Sequence, residues 1–213
     1  MKDISTVIGT CDSYSYIWKN FDILFKRYWK SDTPNYVVGE TLPFPYEGYK
    51  NILPGQGKEW GERILTCLEQ VKTPYVFFIL EDYYLTEEIN QSILQEHITL
   101  LEKYNADKIM LAEMHGAYSL NLLEDGLYSF NIYSNYLNSV QPAIWKTDYL
   151  KSVLREYYSP WQFELEGNTF TSSISPKILI KLRQEPIYFN YARVGGRVSE
   201  GWEEVFRKEN LTN

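Results

Sequence analysis

Two adjacent carboxylates, Glu81-Asp82, end the continuously apolar run Tyr75-Val76-Phe77-Phe78-Ile79-Leu80. A run of that length and composition reads as a central strand covered on both faces, an interior in which acids are not left unpaired. Glu81 and Asp82 therefore face solvent, a cation, a hydrogen-bonding ligand or a basic partner. The carboxyl end of such a strand is where open parallel sheets gather their binding loops. A hard divalent ion, Mn2+ or Mg2+, held by one or both carboxylates and bridging substrate phosphates is the chemistry such a pair supports. The plainer alternative is that Asp82 caps the turn that follows.

The elements around this turn alternate in type. Residues 5–10 read as a short β-branched strand, followed by a helix whose Ile17, Trp18, Phe21, Leu24, Phe25 and Tyr28 share one face. A second strand is expected at 36–39, and the Pro- and Gly-rich segment 41–57 as loop or short irregular strand. A helix over 59–71 then leads into the strand at 75–80, a helix over about 87–104 and a strand at 108–112. Strand-helix-strand order of this kind suggests parallel pairing. In the second half, 127–132 alternates, Gln141-Pro142-Ala143-Ile144-Trp145 leads into a helix over about 147–157, and a last strand is expected at 187–191 before a short closing helix carrying Trp202 and Phe206. A turn is expected at Gly167-Asn168.

Composition narrows the function classes. The 213 residues suit one domain, and 19 Tyr, 6 Trp and 10 Phe supply rings that stack on sugars or bases while their polar tips hydrogen-bond. A formal net charge of -7 disfavours a phosphate-backbone binder, so no nucleic-acid partner is expected. Cys11 and Cys67 have neither CxxC nor Cys/His spacing, which removes a disulfide scaffold and a zinc site and fits a reducing compartment. No apolar stretch approaches the roughly 20 residues that span a bilayer, and the first residues lack the pattern of a secretory signal. The expected location is cytoplasmic, compatible with peripheral contact at the inner face of the membrane. The glycine motifs of dinucleotide and P-loop sites are absent after the first strand.

The segment Pro74 to Leu85, with its acidic turn Glu81-Asp82-Tyr83, resembles the apolar strand and acidic turn of GT-A glycosyltransferases, particularly bacterial sugar transferases whose turn reads Asp-Asp-Tyr. Thr10-Cys11-Asp12-Ser13-Tyr14 is similar to the loop that receives the nucleotide, Trp60-Gly61-Glu62-Arg63 to the start of the preceding helix, and 141–145 with Pro160-Trp161-Gln162-Phe163-Glu164 to the acceptor side. The resemblance implies a single-domain, Rossmann-like α/β fold with a mixed sheet flanked by helices. Its nucleotide-donor half would cover residues 1–115 and its acceptor half 116–213. It implies a nucleotide-sugar donor, a saccharide or lipid-linked acceptor, and a place in surface polysaccharide synthesis.

Roles follow residue by residue. Thr10, Asp12, Tyr14, Arg63, Glu81 and Asp82 are the donor-side candidates. Asp12 reads either as a partner of base or ribose or as a helix cap, and Arg63 as a partner of the diphosphate or of Asp82. Glu164 is the first candidate for a general base, Glu166 the second, and Trp145 and Trp161 are candidates to present ring faces to an acceptor. Arg193 and Arg197, flanking Gly195-Gly196, are a candidate diphosphate clamp. The turn departs from the family's Asp-x-Asp in offering Glu81-Asp82 and then Tyr83-Tyr84. That departure keeps open a non-catalytic nucleotide- or glycan-binding module of the same fold.

Overall fold

The computed structural model describes residues 3–111, 119–182, 188–190 and 202–211. In chain order, β1 (Ile4–Gly9) passes through a 3-10 turn (Asp12–Ile17) into α1 (Trp18–Tyr28), followed by β2 (Trp29–Lys30), β3 (Asn35–Val38) and β4 (Lys50–Ile52). Then come α2 (Trp60–Gln70), β5 (Tyr75–Leu80), β6 (Tyr83–Leu85), β7 (Ile89–Asn90), α3 (Gln91–Lys103) and β8 (Lys108–Met110). The remainder comprises β9 (Leu120–Glu124), β10 (Leu127–Phe130), β11 (Ala143–Lys146), α4 (Thr147–Val153), α5 (Pro160–Ser173), β12 (Ile178–Lys181), β13 (Tyr188–Asn190) and α6 (Trp202–Glu209).

Among the described residues, nine strands form one mixed sheet in the order β4-β3-β1-β5-β11-β8-β12-β10-β9. β1 pairs in parallel with β3 on one side and β5 on the other, whereas β11 enters antiparallel between β5 and β8. Because the chain goes to one side of β1 and then returns to the other, a crevice opens outside the carboxyl ends of β1 and β5, as open α/β sheets require.

The uninterrupted apolarity of β5 has a direct cause. Phe77 and Ile79 face a core shared with α1 and α3, while Val76 and Phe78 face the opposite core, formed with α2, α4 and α5. Helices thus cover both faces of the strand. The same alternation divides Ile4 and Ile8 from Val7 on β1.

The segment 41–57, expected as loop or short irregular strand, contributes the short strand β4, paired in parallel with β3. Other expectations are corrected. The helix expected to 157 stops at Val153, because the chain beyond it turns to satisfy the start of α2: Tyr158 O accepts from Gly61 N–H (2.8 Å) and Glu156 O from Glu62 N–H (3.0 Å). Gly61 permits this approach, since a Cβ there would lie 2.0 Å from Arg155 O. No turn forms at Gly167-Asn168, which lies inside α5. Gly167 fits there because Asn138 Nδ2 would sit 2.9 Å from any added Cβ. Strands β9 and β12 were not anticipated from the pattern. The expected last strand is described at Tyr188–Asn190, paired antiparallel with β6.

Candidate functional site

A cleft of about 350 Å³ lies at the carboxyl ends of β1 and β5, and residues distant in sequence converge on it. Its first wall consists of strand ends. Gly9 and Leu80 are register partners on β1 and β5, and the ladder continues one step further as Glu81 N–H donates to Gly9 O at 3.2 Å. Thr10 is fixed on three sides: its N–H donates to Val38 O (2.9 Å), its hydroxyl accepts from Trp18 Nε1 (2.7 Å) and its carbonyl accepts from Arg63 Nη1 (3.1 Å). Tyr14, half-buried, lines the same wall.

The two acids sit where this wall meets β6. Glu81 is buried, and burial, reinforced by the neighbouring Asp82 charge, pushes its carboxyl up to about 8. Burial also raises Asp82, to about 7, and the Glu164 charge adds to the effect. Asp82 Oδ1 is sealed from solvent and has no hydrogen-bond partner. An orphaned carboxylate oxygen beside a second raised acid is an arrangement that binding a positive group would relieve. Two carboxylates suit a hard cation that takes its other ligands from water and substrate phosphates. Among the described residues no cluster of three His, Cys, Asp or Glu could hold a metal ion without such help.

The second wall is built from the loop before β11 and the start of α5. Ser159 opens the helix with a capping box: its hydroxyl accepts from Gln162 N–H (3.2 Å), the Gln162 side chain accepts from Ser159 N–H (2.9 Å), and Pro160 occupies the first turn. The cap aims the helix so that Pro160, Trp161 and Glu164 face the cleft beside Val140. Glu164 Oε1 accepts from Val140 N–H at 2.8 Å, and Trp161 is 70% exposed. Asn138, fully buried, secures the loop from beneath by donating to Phe163 O (3.3 Å) and accepting from the Thr171 hydroxyl (2.8 Å).

Thr10, Tyr14, Arg63, Glu81, Asp82, Trp161 and Glu164 are therefore brought together in one cleft. Others are placed elsewhere. Trp145 is fully buried in β11, stacked on Tyr149 with ring centres 5.9 Å apart, so it is a core residue and offers no ring face to an acceptor. Glu166 is exposed and does not line the cleft. Asp12 caps no helix by its side chain and does not line the cleft. Its carboxylate instead accepts from Thr41 N–H, Leu42 N–H (both 3.1 Å) and the Thr41 hydroxyl, tying down the loop after β3. Slight burial works against these bonds, but they hold its carboxyl below the usual range. Arg63 pairs with Glu40 at 3.4 Å rather than with Asp82. Arg193 and Arg197 lie outside the described residues. The cleft also includes Glu40 and Val140, which sequence reasoning missed. The Ser159-Pro160-x-Gln162 capping signature was the available signal for the α5 start that presents Trp161 and Glu164.

No family model and no curated protein matches the chain by sequence. Solved structures do match in fold. The crystal structure of S. aureus TarS 1-349 in complex with UDP-GlcNAc is similar, with a TM-score of 0.59 and 18% identity, covering 97% of this chain and 65% of that one. A second crystal structure of S. aureus TarS 1-349 gives 0.57 and 17%, covering 88% and 60%. UDP-glucose pyrophosphorylase complexed with UDP-glucose gives 0.52 and 12%, covering 90% and 93%. The chain spans less than two thirds of the TarS structures it matches. Its fold is accordingly the GT-A, Rossmann-like type found in nucleotide-sugar-using enzymes. No described helix is long and apolar enough to cross a membrane.

Proposed function

We propose that this chain is a glycosyltransferase that moves a sugar from a nucleotide-sugar donor to a saccharide or lipid-linked acceptor. The observation that carries the proposal is one cleft in which the acids Glu81 and Asp82 and the exposed ring of Trp161 with the half-buried carboxylate of Glu164 confront one another. In this reading residues 1–115 serve the donor and 116–213 the acceptor. Tyr14 and the fixed Thr10 backbone border the nucleotide, and Asp82 with Glu81 would hold Mn2+ or Mg2+ against the diphosphate. When bound, the ion supplies positive charge to the leaving group.

The chain's own residues do the rest. Trp161 presents a ring face on which a sugar can stack, and Glu164 takes the acceptor hydroxyl proton if the anomeric centre inverts. One Glu164 oxygen, Oε1, is fixed by Val140 N–H, and in this reading the other receives that proton. Such an enzyme would work in surface polysaccharide synthesis, in the cytoplasm or at the inner face of the membrane. Incubating the chain with candidate nucleotide sugars, Mn2+ and saccharide acceptors tests this. Release of nucleoside diphosphate that depends on acceptor is expected, and none with any donor would refute it. The buried Tyr83 in place of a third-position acid favours a second reading, a binding module that retains the donor without turning it over; donor binding with no hydrolysis or transfer would single that out.

A further inference from the structure

Lys108 is a lysine shielded from solvent. It is fully buried at the start of β8, between Trp145 of β11 and Ile178 of β12, with its Nζ 4.0 Å from the Trp145 ring centre. Its ammonium donates to Leu137 O at 3.1 Å and to Ser139 O at 2.8 Å. Burying a cation in a hydrophobic layer is costly, and two carbonyls and a ring face offset only part of that cost. A methionine or leucine would fill the same space without it.

What the ammonium touches is informative. Ser139 O and Val140 N–H belong to one peptide group. The oxygen of that group accepts from Lys108 Nζ at 2.8 Å, and its N–H donates to Glu164 Oε1 at 2.8 Å. A trans peptide points its C=O and N–H in opposite directions, so cation, peptide and carboxylate form a hydrogen-bonded chain in which each bond polarises the next.

We propose that Lys108 is a positioning residue for Glu164, acting through the Ser139–Val140 peptide: it fixes that peptide's orientation and strengthens the N–H bond that holds the carboxylate at the cleft. The proposal rests on the reading of Glu164 as the acceptor-side base, but the linkage itself is independent of that reading. Glu164 acts electrostatically on Asp82 and Tyr83 of the acidic turn and on Lys108 of β8; burial pulls the Lys108 ammonium well below its usual range, and the Glu164 charge opposes that shift.

The test uses Lys108→Met, which keeps the stem packed against Trp145 and removes the ammonium, alone and combined with Glu164→Gln. Turnover should fall about 10- to 100-fold, as expected for losing a hydrogen bond to a charged group, with donor KM changed less than about twofold. In the Glu164→Gln background the same substitution should cost almost nothing more. Equal losses in both backgrounds would reduce Lys108 to a structural residue and overturn the proposal, as would unchanged turnover. Amide NMR separates this from failure of the transferase reading. The Val140 N–H resonance should move upfield in Lys108→Met and in Glu164→Gln, whether or not the protein turns over any donor, and an unmoved resonance in Lys108→Met refutes the linkage. Should Lys108→Met fail to fold, the linkage can be read from its other end. Glu164→Gln should lower the pH at which the Lys108 Nζ signal titrates, and an unchanged titration would be decisive against it.

Discussion

The two walls of the cleft are made in different ways. The first is backbone-built: β1 and β5 end in register, Glu81 N–H extends their ladder, and Thr10 is held through its amide, hydroxyl and carbonyl. The second is a loop stitched by side chains from across the sequence: Lys108 on two carbonyls, Asn138 between Phe163 and Thr171, Asn168 Oδ1 on Leu137 N–H, and Glu164 on Val140 N–H. A strand-end wall tolerates the loss of a side chain because the ladder remains. A stitched wall does not, since each buried polar partner left alone carries a desolvation penalty. The cleft thus pairs a backbone-built platform carrying the acid pair with a side-chain-dependent jaw carrying Trp161 and Glu164.

The largest expected effect lies in the jaw. Glu164→Gln should lower turnover by roughly 10² to 10⁴ with donor affinity nearly unchanged if it is the base, and Glu166→Gln, on the exposed side of α5, should lower it far less. Near-wild-type turnover in both would remove α5 from the chemistry.

The two tryptophans sharpen the contrast between core and cleft. Trp145→Ala removes a fully buried ring and should cost about 3 to 5 kcal/mol in urea unfolding. Trp161→Ala, at 70% exposure, should stay within about 0.5 kcal/mol of wild type. Its effect should appear instead as a roughly 2- to 10-fold rise in acceptor KM, the range of an aromatic contact. Reversed stability effects would mean that the placement of these residues is wrong.

The acid pair gives an effect of another kind, a dependence of stability on pH. Both carboxyls titrate higher in the folded chain, about 8 for Glu81 and about 7 for Asp82, than the value of about 4 expected when unfolded. The folded chain therefore binds more protons across this window, and the stability these groups contribute is fully present below about pH 4 and is lost as pH rises through 7 to 8. Unliganded protein should lose stability over pH 5 to 8 through these groups, and Asp82→Asn should flatten that slope. A slope identical in the variant would show that Asp82 ionises normally.

Legibility in the sequence follows the same division. Local signals were sufficient for the platform: the six apolar residues of β5 became a strand with the bounds expected, and Glu81-Asp82 fell at its carboxyl end. The mixed sheet flanked by helices agrees with what the motif order implied. Signals failed where a residue's environment is set by distant parts of the chain. Gly167 resembled a turn former until Asn138, 29 positions earlier, occupied the space of its missing Cβ. Trp145 read either as a ring face for an acceptor or as a core anchor, and β5 and β8, closing on both sides of β11, make it the latter. Arg63 was expected at a diphosphate or at Asp82; of the two acids, it is Glu40, just beyond β3, that it pairs with. Lys108 carried no sequence signal, because its partners are backbone carbonyls of a loop some 30 residues away.

The central claim is that the platform accepts a nucleotide sugar through its acid pair, and the most direct measurement is thermal unfolding of wild type and Asp82→Asn across a panel of nucleotide sugars with Mn2+. A ligand at 100 times its dissociation constant stabilises the folded state by about 2.7 kcal/mol. The account predicts that at least one donor raises the wild-type Tm by the corresponding amount and that the shift collapses in Asp82→Asn, whose unliganded Tm remains at or above wild type at neutral pH. Stabilisation by none of the nucleotide sugars, or an equal shift in both proteins, would contradict it.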